Sequence, residues 1–179
     1  MKHLLALARR IDAFTDRFAV VAKWAILAAC AISAVNALVR YTLNYGSNAI
    51  LEVQWYLFAV CVMFGAAQVL RVNEHVRVDI FYGLYPTRAK VVVDLLGLCF
   101  FLLPMTLYIG YMAMPLLIKM IESQEMSGNA GGLIRWPAML TIPLGMGLVA
   151  LQGVSEIIKR LGWLMHLHEM DTHYERPLQ

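Results

Sequence analysis

The sequence predicts an all-α integral membrane protein with four transmembrane helices, an N-terminal amphipathic interfacial helix and a short cytoplasmic amphipathic helix between spans 2 and 3. Three observations predict it. First, the segments Ala19–Val39, Ile50–Leu70, Val91–Ile118 and Trp136–Val154 are each long and apolar enough to cross about 30 Å of hydrocarbon, which takes roughly 20 residues. Second, 12 of the 15 Lys and Arg residues fall on one side of these segments, and only Arg40, Lys119 and Arg135 fall on the other. The positive-inside rule therefore places both termini in the cytoplasm. Third, the aromatics form two belts: Tyr41, Tyr45, Trp55, Tyr56, Tyr108, Tyr111 and Trp136 at the outer level, and Trp24, Tyr82, Tyr85 and Trp163 at the inner one.

The totals agree. At 179 residues and 60% hydrophobic, the chain is one membrane domain without room for a separate soluble one. Its boundaries read as an interfacial helix over 1–18, a four-span domain over 19–158 and a polar cytoplasmic tail over 159–179. The net charge of +3 is explained by topology, so it does not indicate nucleic-acid affinity. Cys30, Cys61 and Cys99 all lie inside spans, without C-x-x-C spacing, and read as small apolar residues. No disulfide, metal site or cofactor is expected. A cleavable signal peptide is the alternative for the first span, but the charged stretch before it is long for such a segment and the small-residue cleavage sites are weak.

Taken in order, Leu4, Leu7, Ala8, Ile11, Phe14 and Phe18 share one helical face, with Arg9, Arg10, Asp12, Asp16 and Arg17 largely elsewhere. That pattern suits a helix in the inner interface, its apolar side in lipid and its Arg residues toward anionic headgroups; a frayed basic tail is the alternative. In the first span Ala25, Ala29, Ser33 and Ala37 recur every four residues, a small-residue stripe that admits a close partner helix. Arg40 closes that span. Glu52 sits just inside the outer end of the second, where a pair with Arg40 across the short loop is expected. In the inner loop Val72, Val76, Ile80 and Leu84 step by four, which favours a short surface helix ended near Gly83 and Pro86 over a strand.

The third segment, at 28 residues and 1.5 Å each, measures about 42 Å and must tilt, bend or protrude. Pro104 is expected to bend it and Pro115 to loosen its outer end. The outer loop from Lys119 to Arg135 contains turn material at Gly128-Asn-Ala-Gly-Gly132. Trp136-Pro137 then opens the fourth span, with proline where its missing N–H does no harm.

The missing chemistry narrows function. His3, His75, His166, His168 and His173 all lie outside the spans, which removes the ligands of a membrane haem protein. Paired external cysteines for thiol oxidation are absent. No carboxylate lies near a midplane, since Glu52 and Asp94 sit near the ends of their helices. A secondary transporter tends to show internal repeats and broken helices around a central site, and no repeat is seen here. Glu74, His75 and Asp79 match no standard metal-ligand spacing. The spans read as built to pack against a partner.

Several segments resemble the DctQ-type small membrane subunit of tripartite ATP-independent periplasmic (TRAP) transporters. They are Glu52-Val-Gln-Trp-Tyr-Leu-Phe58, Gly65-Ala-Ala67, His75-Val-Arg-Val-Asp79, Gly131-Gly-Leu-Ile-Arg-Trp-Pro137, Ile142-Pro-Leu-Gly145 and Leu151-Gln-Gly-Val-Ser-Glu156. Their order covers roughly residues 15 to 160. The resemblance implies a scaffold subunit without a catalytic centre, in the bacterial inner membrane. Its implied partners are a large many-span subunit that carries an organic acid with sodium, a periplasmic substrate-binding protein and membrane lipids. Candidate contacts are Ala25, Ala29, Ser33, Ala37, Arg40, Glu52, His75, Arg77, Asp79, Arg135 and Trp136. Two other readings stand beside it: an autonomous oligomeric four-helix transporter or channel, and a membrane anchor of a redox or signalling complex.

Overall fold

The computed structural model describes residues 1–73, 82 and 84–167. Four helices are long and apolar enough to cross a membrane: α1 (Lys2–Leu43), α2 (Asn48–Val72), α3 (Thr87–Ser123) and α4 (Trp136–Leu164). There is no strand among the described residues, only an isolated antiparallel bridge between Met126 and Ile134. Helix α4 is the hub. It lies against α1, α2 and α3, whereas α3 is held by α4 and makes no substantial contact with α1 or α2.

Helix α1 runs unbroken through 42 residues, about 63 Å at 1.5 Å per residue. The expected boundary between an interfacial helix at 1–18 and a span from 19 is absent from the backbone. No glycine or proline interrupts it, and Ala8, Ile11, Thr15, Ala19, Ala22, Ala25 and Ala29 form one continuous buried line. A bend near residue 18 would break that line. The predicted apolar face is split: Ala8 and Ile11 are buried, while Leu4, Leu7 and Phe14 remain exposed. Phe18 bridges to α2, its ring edge-on to Phe14 at 5.0 Å and to Phe64 at 5.2 Å. Asp16 pairs with Arg71 at the same level.

Asn44 and Asn73 end α1 and α2 in the left-handed region, which asparagine tolerates better than most side chains. The predicted surface helix after α2, with His75, Arg77 and Asp79, lies outside the described residues.

Helix α3 contains a π turn at Leu98–Leu102, where the Leu103 N–H bonds to the Leu98 carbonyl five residues back. Pro104 explains it. A proline has no N–H to donate, and in an α-helix its ring collides with the carbonyl four residues earlier. Widening the preceding turn relieves that collision, and Thr106 Oγ1 covers the Leu102 carbonyl at 2.8 Å. Pro115 is carried inside the helix, which continues to Ser123 without the expected loosening.

Helix α4 begins at Trp136-Pro137 as predicted but runs to Leu164, ten residues past the expected end of the span. Lys159 and Arg160, assigned from sequence to a polar tail, are helical. Their charges are met by acids from α1, α3 and α4 itself, so the helix need not end where the charges begin.

Gly145 sets the distance between α4 and α2. A Cβ there would lie 2.6 Å from the Met63 Cβ and 2.9 Å from its carbonyl oxygen. Backbone cannot yield as a flexible side chain does, so Gly145→Ala should push the helices apart and cost about 1–3 kcal/mol. Gly147, with nothing within 4 Å of its own would-be Cβ, serves as control. Thermal unfolding in detergent should show a lowered midpoint for Gly145→Ala and none for Gly147→Ala.

Candidate functional site

Ionisable side chains gather at the two ends of the bundle. None occurs from Trp24 to Val39, Val53 to Leu70, Leu95 to Ile118 or Trp136 to Ser155, apart from cysteine and tyrosine. Each end carries a built polar joint.

At the loop end the joint is Glu52, only 2% exposed. Its Oε1 accepts from the Ser127 hydroxyl and from Asn129 Nδ2 at 2.8 Å, and its Oε2 accepts the Leu133 N–H at 2.6 Å. The loop so held is a small hairpin. The Gly132 N–H bonds to the Asn129 carbonyl at 2.9 Å, closing a turn in which Gly131 takes φ +70°, a value glycine adopts freely. Tyr56 donates to the Ile134 carbonyl at 2.7 Å and Asn48 to the Ala130 carbonyl at 3.0 Å. Gly132 must be small, because a Cβ would meet Ser127 Cβ at 2.6 Å and Glu52 Oε1 at 3.0 Å.

The expected Arg40–Glu52 pair is not formed. Three directed donors from the loop saturate the carboxylate, while Arg40 stays exposed with no ion pair among the described residues. Arg135 pairs with Glu125 at 2.5 Å, clipping the base of the hairpin, and Trp136 starts α4 half-buried.

At the opposite end, where α1 begins and α4 finishes, Thr15, Gln152 and Ser155 are fully buried. Thr15 donates to Gln152 Oε1 at 2.7 Å, and Gln152 Nε2 donates to Asp12 at 2.9 Å. Ser155 donates to the same Asp12 oxygen at 2.7 Å, and Lys159 reaches Asp12 Oδ2 at 3.1 Å. Glu156 pairs with Lys159 and Arg160, and Arg160 extends to Asp94 of α3 at 3.4 Å. Each of these three carboxylates thus faces a cation, and three helices meet in one network. Sequence reading missed it. A signal was present, since Gln152, Ser155, Glu156 and Lys159 follow one helical face at three- and four-residue steps.

The small-residue stripe divides. Ala25 and Ala29 are buried within the chain, but Ser33 and Ala37 are exposed. Beside this outer half of α1 an apolar groove of about 450 Å³ opens against α2, lined by Ile32, Val35, Asn36, Val39, Tyr45 and Ile50. A second apolar surface runs along α3 through Phe100, Phe101, Met105, Tyr108 and Tyr111, all exposed. Among the described residues no cluster of His, Cys, Asp or Glu is placed to hold a metal ion.

Against this geometry stands a family match. The model of tripartite ATP-independent periplasmic transporters, DctQ component, matches residues 29–162, about three quarters of the chain. The chain belongs to the DctQ family. It is thereby assigned to a family of transporter components, and its place is the small membrane component of a TRAP transporter. No curated protein and no solved structure matches this DctQ-family chain. The family match begins at residue 29 and does not include the half of α1 that carries Asp12 and Thr15.

Two outcomes check the joints of this DctQ-family subunit. Glu52→Ala should free the hairpin, raising hydrogen exchange at the Leu133 amide to that of an open loop while α4 stays protected. Asp12 lies before the apolar part of α1. Burial raises its pKa, but hydrogen bonds from Ser155 and Gln152 and the Lys159 charge outweigh that, leaving it below the usual 3.8. A carboxylate depressed on folding adds stability above its unfolded pKa and loses it as pH falls through the folded value. The unfolding midpoint should therefore drop below about pH 4 in the native chain, and Asp12→Asn should flatten that drop.

Proposed function

We propose that this chain is the small scaffold subunit of a sodium-coupled TRAP transporter that takes up an organic acid across the bacterial inner membrane. It braces the large many-span subunit and helps to dock the periplasmic binding protein, with both its termini in the cytoplasm. The observation that carries the reading is the division of polar and apolar surface. Ionisable groups are absent from the central stretches of all four helices, and at the ends Asp12, Glu52, Asp94, Glu156, Lys159 and Arg160 form joints within the chain. Long apolar faces on α3 and the outer half of α1 stay uncovered. A solute path through hydrocarbon needs polar groups along it. Helix association inside lipid needs close apolar contact and small residues. This chain supplies the second, and no Asp, Glu, His, Lys or Arg lies in its central stretches for the first.

Exposed Ser33 and Ala37 remain the contacts offered to the large subunit, with the apolar groove beside them. Buried Ala25 and Ala29 act inside the chain and leave that role. The hairpin held by Glu52, at the loop end with Arg40 and Arg135, is the surface offered to the binding protein. The charge asymmetry of the sequence puts this hairpin in the periplasm.

Vesicles containing this chain alone should show no solute flux, and adding the large subunit and binding protein should give sodium-dependent uptake. Flux through the isolated chain would overturn the scaffold reading. Ser33→Leu and Ala37→Leu should lower co-purification with the large subunit while leaving this chain folded. Reporter fusions at Gln179 and between Gly128 and Gly132 should report opposite sides of the membrane, the first cytoplasmic.

A further inference from the structure

In the half of α1 outside the family match both acids are paired within the chain, Asp12 with Lys159 and Ser155, and Asp16, which lies on the same side of the helix as the cations, with Arg71. The cations of this half turn away from the bundle. Arg9, Arg10, Arg17 and Lys23 are exposed, and none makes a hydrogen bond or ion pair among the described residues. At about 100° per residue the four fall in an arc of about 140°, centred opposite the buried line through Ala8, Ile11, Thr15, Ala19 and Ala22.

An apolar row flanks this basic arc. Leu7, Phe14 and Val21 recur every seven residues and are all exposed. Three positions after each comes Arg10, Arg17 and then Trp24, which is 66% exposed. Two turns of helix therefore repeat one pattern: an apolar side chain beside a cation, ending in a tryptophan where the uncharged span begins. A basic face for nucleic acid or for an acidic protein has no use for an exposed aliphatic row in step with it. A bilayer interface needs both, acyl chains taking the apolar row and phosphates the cations, with tryptophan at the boundary.

We infer that this face of α1, from Leu7 to Trp24, is a binding surface for anionic phospholipid headgroups of the phosphatidylglycerol type. Length supports the placement. A helix of about 63 Å exceeds a 30 Å hydrocarbon core twofold, so the turns just before the uncharged stretch that begins at Trp24 leave the hydrocarbon and meet the headgroups. Lys23, one turn inside the apolar stretch, reaches the same phosphates by extending its side chain toward the interface. The network from Thr15 and Asp12 to α4 fixes the rotation of the helix, so the basic arc can face only outward.

The surface is tested with the full chain in phosphatidylcholine vesicles carrying trace spin-labelled phosphatidylglycerol or spin-labelled phosphatidylcholine. The motionally restricted fraction of each label gives the selectivity. The native chain should prefer phosphatidylglycerol by about fivefold or more, a preference that high salt weakens. Combined Arg9→Gln, Arg10→Gln and Arg17→Gln should bring it close to unity, whereas Arg40→Gln with Lys119→Gln at the other end should leave it. The three arginines are exposed and make no hydrogen bond or ion pair among the described residues, so the unfolding midpoint should not move. If the triple variant fails to fold, Arg17→Glu alone should still lower the selectivity. A native chain without the preference, or variants that keep it, would overturn the proposal. So would intact selectivity with lost co-purification of the large subunit, which would make the face a protein contact.

Discussion

The structure depends on one constraint: a buried polar side chain must find its partner inside the protein. Gln152 is the clearest case. It lies fully buried on the hub helix, and an unpaired amide there would be costly. Both of its polar atoms are met from α1, by Thr15 and Asp12, so α1 and α4 are bound in one rotation and one register. Apolar contact between lipid-facing helices is permissive about rotation; directed hydrogen bonds are not. Once α1 and α4 are fixed, Gly145 sets the approach of α2, and Arg160 draws in Asp94 of α3.

The two ends solve the same problem differently. Where α1 begins and α4 finishes, charged groups from three helices neutralise one another, as suits a region of long side chains and close helices. At the loop end a single carboxylate is satisfied by neutral donors from one hairpin. The hairpin thus receives a fixed shape without an ion pair to a neighbouring helix, and Arg40 is left outward.

Much of the architecture was legible in the sequence, because span length and the Trp136-Pro137 start are local signals. The turn at 128–132 was equally plain. What escaped was non-local. Asp12 and Lys159 are 147 positions apart, and Lys159 read naturally as a topology signal, not as a structural cation. Glu52 was assigned to Arg40 because it is the nearest cation in sequence, yet Ser127, Asn129 and Leu133 approach from the far loop. The small-residue stripe on α1 divides, with Ala25 and Ala29 buried within the chain and Ser33 and Ala37 exposed. Periodicity says that a face is covered and cannot say by which helix. The DctQ resemblance carried the functional class, and Ser33 and Ala37 of the stripe stay exposed.

The π turn in α3 has a consequence for how this helix tolerates change in length. A π turn holds one more residue than an α turn while leaving the flanking segments in the phase they would share without it. Asp94 before it and Gly110 after it both address α4, Asp94 through Arg160 and Gly110 through Met146. Removing one residue elsewhere between them would rotate one half by about 100° and turn one contact away from α4. Removing one from Leu98–Leu102 would close the wide turn and keep both contacts in phase, leaving Pro104 alone to object. Helix α3 therefore carries a single spare residue, stored at the point where its proline needs room.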